Sequence, residues 1–211
     1  GSRFGCMVRP RKGARDTRQV MLEAAIAAID EGGVESIRTK AIASAADVTE
    51  PSLFHFFGNR DGLVEAALAE RFLRSQADFF GDFRDSVFKC RTKREFIALT
   101  RGTWQISASP ARRHARRVRV ETLAAVQAHP NLGKFLAEAQ EQANAILIET
   151  LEHAQTRKWV RRDINLDAAA IWIVAQGTGI AMAEVGSSNV PYTELGDLIG
   201  EAVVNYLLPP T

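Results

Sequence analysis

The stretch Thr39–Gly58, TKAIASAADVTEPSLFHFFG, decides how this chain is read. Two short apolar runs flank Asp47-Val48, and each is opened by a threonine. Threonine suits a helix N-cap, because its hydroxyl accepts from a free backbone N–H of the first turn. The spacing predicts one helix from Thr39, carrying Ile42, Ala43 and Ala46. It predicts a second from Thr49, with Leu53 and Phe57 on one side and Gly58 as its stop. Pro51 falls in the first turn, where a missing N–H costs nothing. Asp47, at the joint, tolerates left-handed geometry. Small Ala43 and Ala46 let the helices approach closely. This is the size of a helix-turn-helix, whose second helix enters a major groove while the first crosses the backbone.

Upstream, Leu22, Ala25, Ile26 and Ile29 form one apolar stripe, with Thr17 as expected cap and Gly32-Gly33 as stop. Downstream, Asn59 is expected to cap a longer helix through Leu63, Ala67 and Phe72 toward Phe83. Further helices are expected over about 92–108, 110–128, 131–158, 166–186 and 193–207. No alternating β-branched run competes with them. The expected fold is all-α, divided into an N-terminal arm and three-helix domain over 1–62 and a helical domain over 63–211.

Of the 211 residues 46% are hydrophobic and 25% charged, the balance of a folded protein. Two cysteines and four scattered histidines make neither a disulfide framework nor a metal-ligand spacing, so free thiols in a reducing cytoplasm, no metal and no cofactor are expected. No charged-then-apolar segment opens the chain, and no signal peptide is expected. The apolar stretch Ala168–Ala183 would span about 24 Å as a helix, short of the roughly 30 Å hydrocarbon core. A helix buried in protein is expected there rather than a membrane span. No nucleophile–base arrangement or phosphate-cradling glycine loop stands out, so no enzyme is expected. His114 and His129 read as surface or capping residues.

The net charge of +2 hides four alternating blocks: +5 over 1–20, −6 over 21–83, +9 over 84–120 and −6 over 121–211. The first is a basic arm (Arg9, Arg11, Lys12, Arg15, Arg18) suited to DNA phosphate or a minor groove. Residues 36–60 sum to only +1, so sequence-independent affinity is expected to lean on that arm.

Taken together, residues 17–68 resemble the DNA-binding region of the tetracycline-repressor (TetR) family of bacterial transcription regulators. The resemblance rests on Thr39-x-x-Ile42-Ala43, Val48-Thr49, Leu53-Phe54-His55-Phe56-Phe57, and Asn59-Arg60 with Leu63. It implies a homodimeric regulator, most simply a repressor, that binds a pseudo-palindromic operator in double-stranded DNA and is released by a small, largely apolar effector. The alternative is a regulator of the same fold whose C-terminal domain only dimerises or binds a protein. The resemblance implies that Thr39 bonds phosphate and that Thr49, Glu50, Pro51 and Ser52 face the groove. It implies that His55 touches backbone or base, and that Arg60 holds another phosphate. Arg38 and Lys40 add charge near the same surface, and Leu53 and Phe57 would be core. Three departures stand out: Phe54 replaces the frequent tyrosine, Glu50 a frequent lysine or polar residue, and Asp47 the usual glycine. Glu50 either accepts from a cytosine amino group or points away from DNA.

In the second domain, Arg112, Arg116 and Arg119 share a helical face by i, i+4, i+7 spacing. That face reads as an anion clamp, as an added DNA contact, or as a solvated face pairing with the acidic block; the resemblance favours pairing. Polar groups within apolar runs suggest a ligand pocket at Trp104, Glu121, Trp172 and Gln176. The last two helices are expected to form the dimer. Gly177, Gly179, Ala181 and Ala183 allow close approach, and Leu195, Leu198, Ile199, Ala202, Val203 and Tyr206 form a seam.

Overall fold

The computed structural model describes residues 12–76, 79–185 and 190–208, with side chains from Thr17 onward. Ten α-helices and three short 3₁₀ turns make up the described regular structure, without a strand. Two compact units divide between Arg71 and Phe72, within a helix.

The first unit packs α1 (Lys12–Gly32), α2 (Thr39–Ala45), α3 (Glu50–Phe57) and most of α4 (Arg60–Gln76). Its core joins Met21, Leu22, Ala25 and Ile29 of α1, Ile42 and Ala43 of α2, Leu53 of α3, and Leu63, Val64, Ala67 and Leu68 of α4, all buried. The contribution of α4 explains why the division falls later than the 62/63 boundary drawn from sequence. Arg71, itself buried, ties α4 to α1 through Asp30 at 2.7 Å.

The second unit contains α5 (Phe79–Lys89), α6 (Lys93–Ala108), α7 (Arg113–Ala125), α8 (Pro130–Thr156), α9 (Leu166–Gly179) and α10 (Tyr192–Leu207). Its core draws Val87, Phe96, Trp104, Leu147, Leu151, Ile173 and Val203 from five of these helices. Caps fix several starts. Thr92 accepts from the Glu95 N–H at 3.2 Å while Glu95 accepts from the Arg91 N–H at 2.7 Å, a reciprocal pair. Asn165 accepts from the Ala168 N–H at 2.9 Å. Helices α6 and α10 pack closely: a Cβ on Gly196 would meet the Trp104 carbonyl at 3.0 Å.

The structure corrects several boundaries. Helix α1 is already formed at Lys12, so Thr17 lies inside it rather than at its N-cap. The long helix expected to reach Phe83 is described over Arg60–Gln76, and helix is described again over Phe79–Lys89, with residues 77–78 outside the described set. Arg38, not Thr39, occupies the N-cap of α2. The segment expected over 110–128 opens as a 3₁₀ turn, Pro110–Arg112, before α7. Helix α9 likewise tightens to 3₁₀ over Ile180–Glu184. His129 stands at the N-cap of α8 without a side-chain cap bond, and His114 is exposed.

Candidate DNA interface and ligand cavity

The joint between α2 and α3 is set by backbone geometry. Asp47 takes φ 53°, and the Val48 N–H donates to the Ala43 carbonyl at 3.0 Å, folding the chain back on α2. Thr49 caps α3, accepting from the Ser52 N–H at 3.4 Å. Gly58, at φ 79°, ends α3. Asn59 then caps α4, accepting from the Gly62 N–H at 2.8 Å. Leu53 is completely buried. This anchors α3 by one face and leaves Thr49, Pro51, Phe54 and His55 exposed on the rest, with Ser52 half-buried. Lys40 is exposed on α2.

Four residues named for the DNA surface, Thr39, Glu50, Arg38 and Arg60, are already hydrogen-bonded within the protein. The Thr39 hydroxyl donates to the Glu50 carboxylate, so Glu50 is held against α2 and the hydroxyl's proton is already used. Arg38 clips its own loop, donating to the Glu35 carbonyl at 2.5 Å and the Ile37 carbonyl at 3.3 Å. Arg60 donates to the Val34 carbonyl at 3.1 Å. Phe57, expected in the core, is only half-buried, and the Arg18 guanidinium lies 5.2 Å over its ring. Arg11 and the side chain of Lys12 lie outside the described residues.

The second unit holds a cavity of about 90 Å³, walled by α5, α6, α7, α8, α9, α10 and the last turn of α4. Most of the wall is apolar, including Phe79, Phe83, Phe96, Trp104, Leu147 and Ile173. One part of the wall is different: Arg112, Arg116 and Arg119 all line it. The face read as solvated or as a clamp is thus turned inward.

The three arginines are held in unequal ways. Arg116 is buried; it donates to the Ser107 carbonyl, to the Ser109 carbonyl at 3.1 Å, and to Glu184 at 2.6 Å. Its buried Nε–H has no acceptor. Glu184 feels opposing effects. Burial raises its pKa, but Arg116 and Arg113 outweigh that and hold the carboxyl below its ordinary range. Arg112 stacks over Phe79 at 5.0 Å. Burial, then the charge of Arg116, lowers its pKa. Arg119 lies 5.7 Å over Phe72 and donates to the Gln76 carbonyl oxygen at 2.8 Å. Burial, then Arg112, lowers its pKa as well. Arg112 and Arg119 make no ion pair among the described residues, and none of the described lining residues is a carboxylate.

Of the four pocket residues read from sequence, Trp104 lines this cavity and the other three do not. Glu121 pairs with Arg117 at 2.6 Å on the outer side of α7. Trp172 is exposed beside Tyr206, ring centroids 5.3 Å apart. The Gln176 amide bends back to the Trp172 carbonyl at 3.3 Å. A polar residue in an apolar helix has two ways to be satisfied, a pocket or its own helix, and sequence cannot separate them. The cavity-lining signal lay instead in the i, i+4, i+7 arginines.

Residues 21–67 match the family model of bacterial regulatory proteins, tetR family. The chain is 26% identical over 148 residues to the HTH-type transcriptional regulator BetI of Burkholderia ambifaria, covering 64% of this chain and 76% of that protein. A transcriptional regulator from Saccharomonospora viridis in complex with choline has the same fold, with TM-score 0.68 and 16% identity over 93% of this chain and all of the other. So does the regulator FadR from Bacillus subtilis in complex with stearoyl-CoA, with TM-score 0.58 and 16% identity over 90% of this chain and 98% of the other. The helix-turn-helix geometry and the family match fall on the same stretch and lead to one conclusion: residues 21–67 form a helix-turn-helix region of the tetR family of bacterial regulatory proteins.

Proposed function

We propose that this regulator is a homodimeric repressor, released from a pseudo-palindromic operator by a small molecule. The observation that carries the DNA reading is helix α3. It is pinned by a fully buried Leu53 and opens on an exposed, capped N-terminus. Free N–H groups at that end suit phosphate, while Ser52 and His55 have the chemistry to reach base edges. Lys40, Thr49, Pro51, Phe54 and His55 form the contact surface we assign. Thr39 and Glu50 act as a bonded pair within it, and Arg38 and Arg60 contribute charge from clipped positions. Arg11 and Lys12 belong to the arm assigned to phosphate.

Effector control is supported by the cavity, and by folds that crystallised with stearoyl-CoA and with choline. Helix α4 carries Leu63 and Leu68 in the first core and Gln76 in the cavity wall, so its position is sensitive to both. Release requires the effector to bind the DNA-free conformation more tightly, and a typical coupling is about 5–150-fold.

Dimerisation is supported by apolar surface left uncovered on α9 and α10: Trp172, Met182, Leu198 and Tyr206 are all exposed. The segment Leu166–Glu184 is long and apolar enough to cross a membrane by length and composition, with mean hydropathy 1.4. Its charged end Glu184 is ion-paired to α7, which favours a protein partner for its open side.

The test is recovery of a bound duplex from genomic fragments, followed by fluorescence anisotropy. His55→Ala and Lys40→Ala should each weaken binding at least about fivefold, given roughly 1–3 kcal/mol per good contact, with unchanged melting temperature. Unchanged affinity in both variants would refute the assigned interface.

A further inference from the structure

We propose that the cavity of the second unit takes an amphipathic anion: a single carboxylate or phosphate monoester head at Arg112 and Arg119, on an apolar body. The inference rests on the effector reading above and gives that site its chemistry. Two guanidinium groups face one cavity without a carboxylate partner among the described residues. Each rests on an aromatic ring, Phe79 or Phe72, rather than on a counter-charge. Between them in sequence, Arg116 adds a buried Nε–H that lacks an acceptor. Cations held this close, partly out of water, repel one another unless something negative joins them. A carboxylate or phosphate oxygen pair fits the planar guanidinium fork and would supply both the charge and the missing acceptors.

The rest of the wall explains the apolar body. Two of its three hydroxyls are already committed: Thr100 donates to the Phe96 carbonyl and Thr103 to the Leu99 carbonyl, each at 2.9 Å, and the third, on Ser107, belongs to the residue whose carbonyl accepts from Arg116. Gln76 is likewise engaged, accepting from Arg119 and donating to Ser75 at 3.1 Å. Polar recognition is therefore concentrated at the arginines, while Phe83, Phe96, Trp104 and Leu147 offer only apolar surface. A quaternary ammonium ligand would meet two like charges and no carboxylate among the described lining residues.

The experiment is isothermal titration calorimetry and thermal unfolding of the full chain with octanoate, phenylacetate, octyl phosphate, octanol and octyltrimethylammonium. At least one of the three anions should bind and raise the melting temperature. The carboxylates and octyl phosphate separate the two head groups. Octanol and the cation should bind at least tenfold more weakly than the best anion. Arg112→Gln and Arg119→Gln should each weaken anion binding at least tenfold. The unliganded Arg112→Gln protein should be no less stable than the parent, since the change relieves repulsion; a merely structural arginine would give a loss. The proposal is overturned if no anion binds, if octanol or the cation binds as well as the best anion, or if both variants keep full anion affinity. Operator release, measured in parallel, tests the other reading. Arginine-dependent anion binding without release sinks effector control and leaves the anion site standing. Release by octanol does the reverse.

Discussion

At Glu184 a single carboxylate decides whether a buried charge is tolerated. Arg116 is buried, and Glu184 at 2.6 Å is its only carboxylate partner among the described ion pairs. Removing one member of such a pair leaves the other uncompensated, at a cost of roughly 3 kcal/mol. Glu184→Gln is therefore expected to destabilise the protein by about that much at pH 7 in urea unfolding. The pH dependence has a definite sign. The folded carboxyl titrates below its unfolded value, so its stabilisation is complete above about pH 4.3. It is lost as pH falls through the lower, folded value. The variant's stability should thus approach that of the parent in acid. A constant gap down to pH 2 would contradict the assignment. Thr39 and Glu50 teach a similar lesson. The sequence offers Thr39 to a phosphate and leaves Glu50 either at a cytosine or pointing away from DNA, and the structure bonds the two to each other. Their spacing of eleven residues has no local meaning until α2 and α3 are folded against one another.

The joint between α3 and α4 is where backbone geometry leaves least freedom among the elements. A Cβ on Gly62 would lie 2.0 Å from the Phe57 carbonyl oxygen, a backbone atom that cannot swing aside. Gly62→Ala must displace the end of α3 or the start of α4. Overpacking of this kind costs about 1–3 kcal/mol, and here it also disturbs the helix assigned to the groove. The expected result is a lower melting temperature together with weakened operator binding. Gly81→Ala is the control, because a Cβ there meets nothing within 4 Å. Within α5 it should be neutral or stabilising by up to about 1 kcal/mol. Equal effects of the two substitutions would remove the steric account. The elements themselves were largely readable, because caps, glycine stops and apolar spacing act over a few residues. The errors cluster where a cap competes with tertiary contact, as at Thr39, or where helical geometry changes without a strong breaker, as at Ile180.

For the whole molecule the open question is what covers α9 and α10. Met182 is 73% exposed and Leu198 68%, while the opposite side of α10 is buried against α6. A Cβ on Gly179 would meet nothing within 4 Å, consistent with room for another helix. A stable homodimer would bury about 1,200–2,000 Å² in total. Met182→Glu combined with Leu198→Glu should convert the dimer to a monomer in sedimentation velocity and lower operator affinity, while helical content stays unchanged. A parent protein that sediments as a monomer, or a variant that remains dimeric, would refute this assignment.

Local physics explains what the sequence alone determined: an all-α chain, a helix-turn-helix at Thr39–Phe57, and the family that residues 21–67 match. Each rests on signals within a few turns, such as Thr49 as cap, Asp47 at the joint and Leu53 as anchor. Only the tertiary structure decided which way the arginine face of α7 points. An i, i+4, i+7 row of arginines looks the same in sequence whether it meets water, an acidic helix or a cavity. Its environment here comes from α4, α5, α6 and their neighbours, residues far away along the chain. The same non-local reason separates Trp104, which lines the cavity, from Trp172, which lies outside it. A cavity wall is a property of how helices are assembled, and its chemistry emerges only when their faces are brought together.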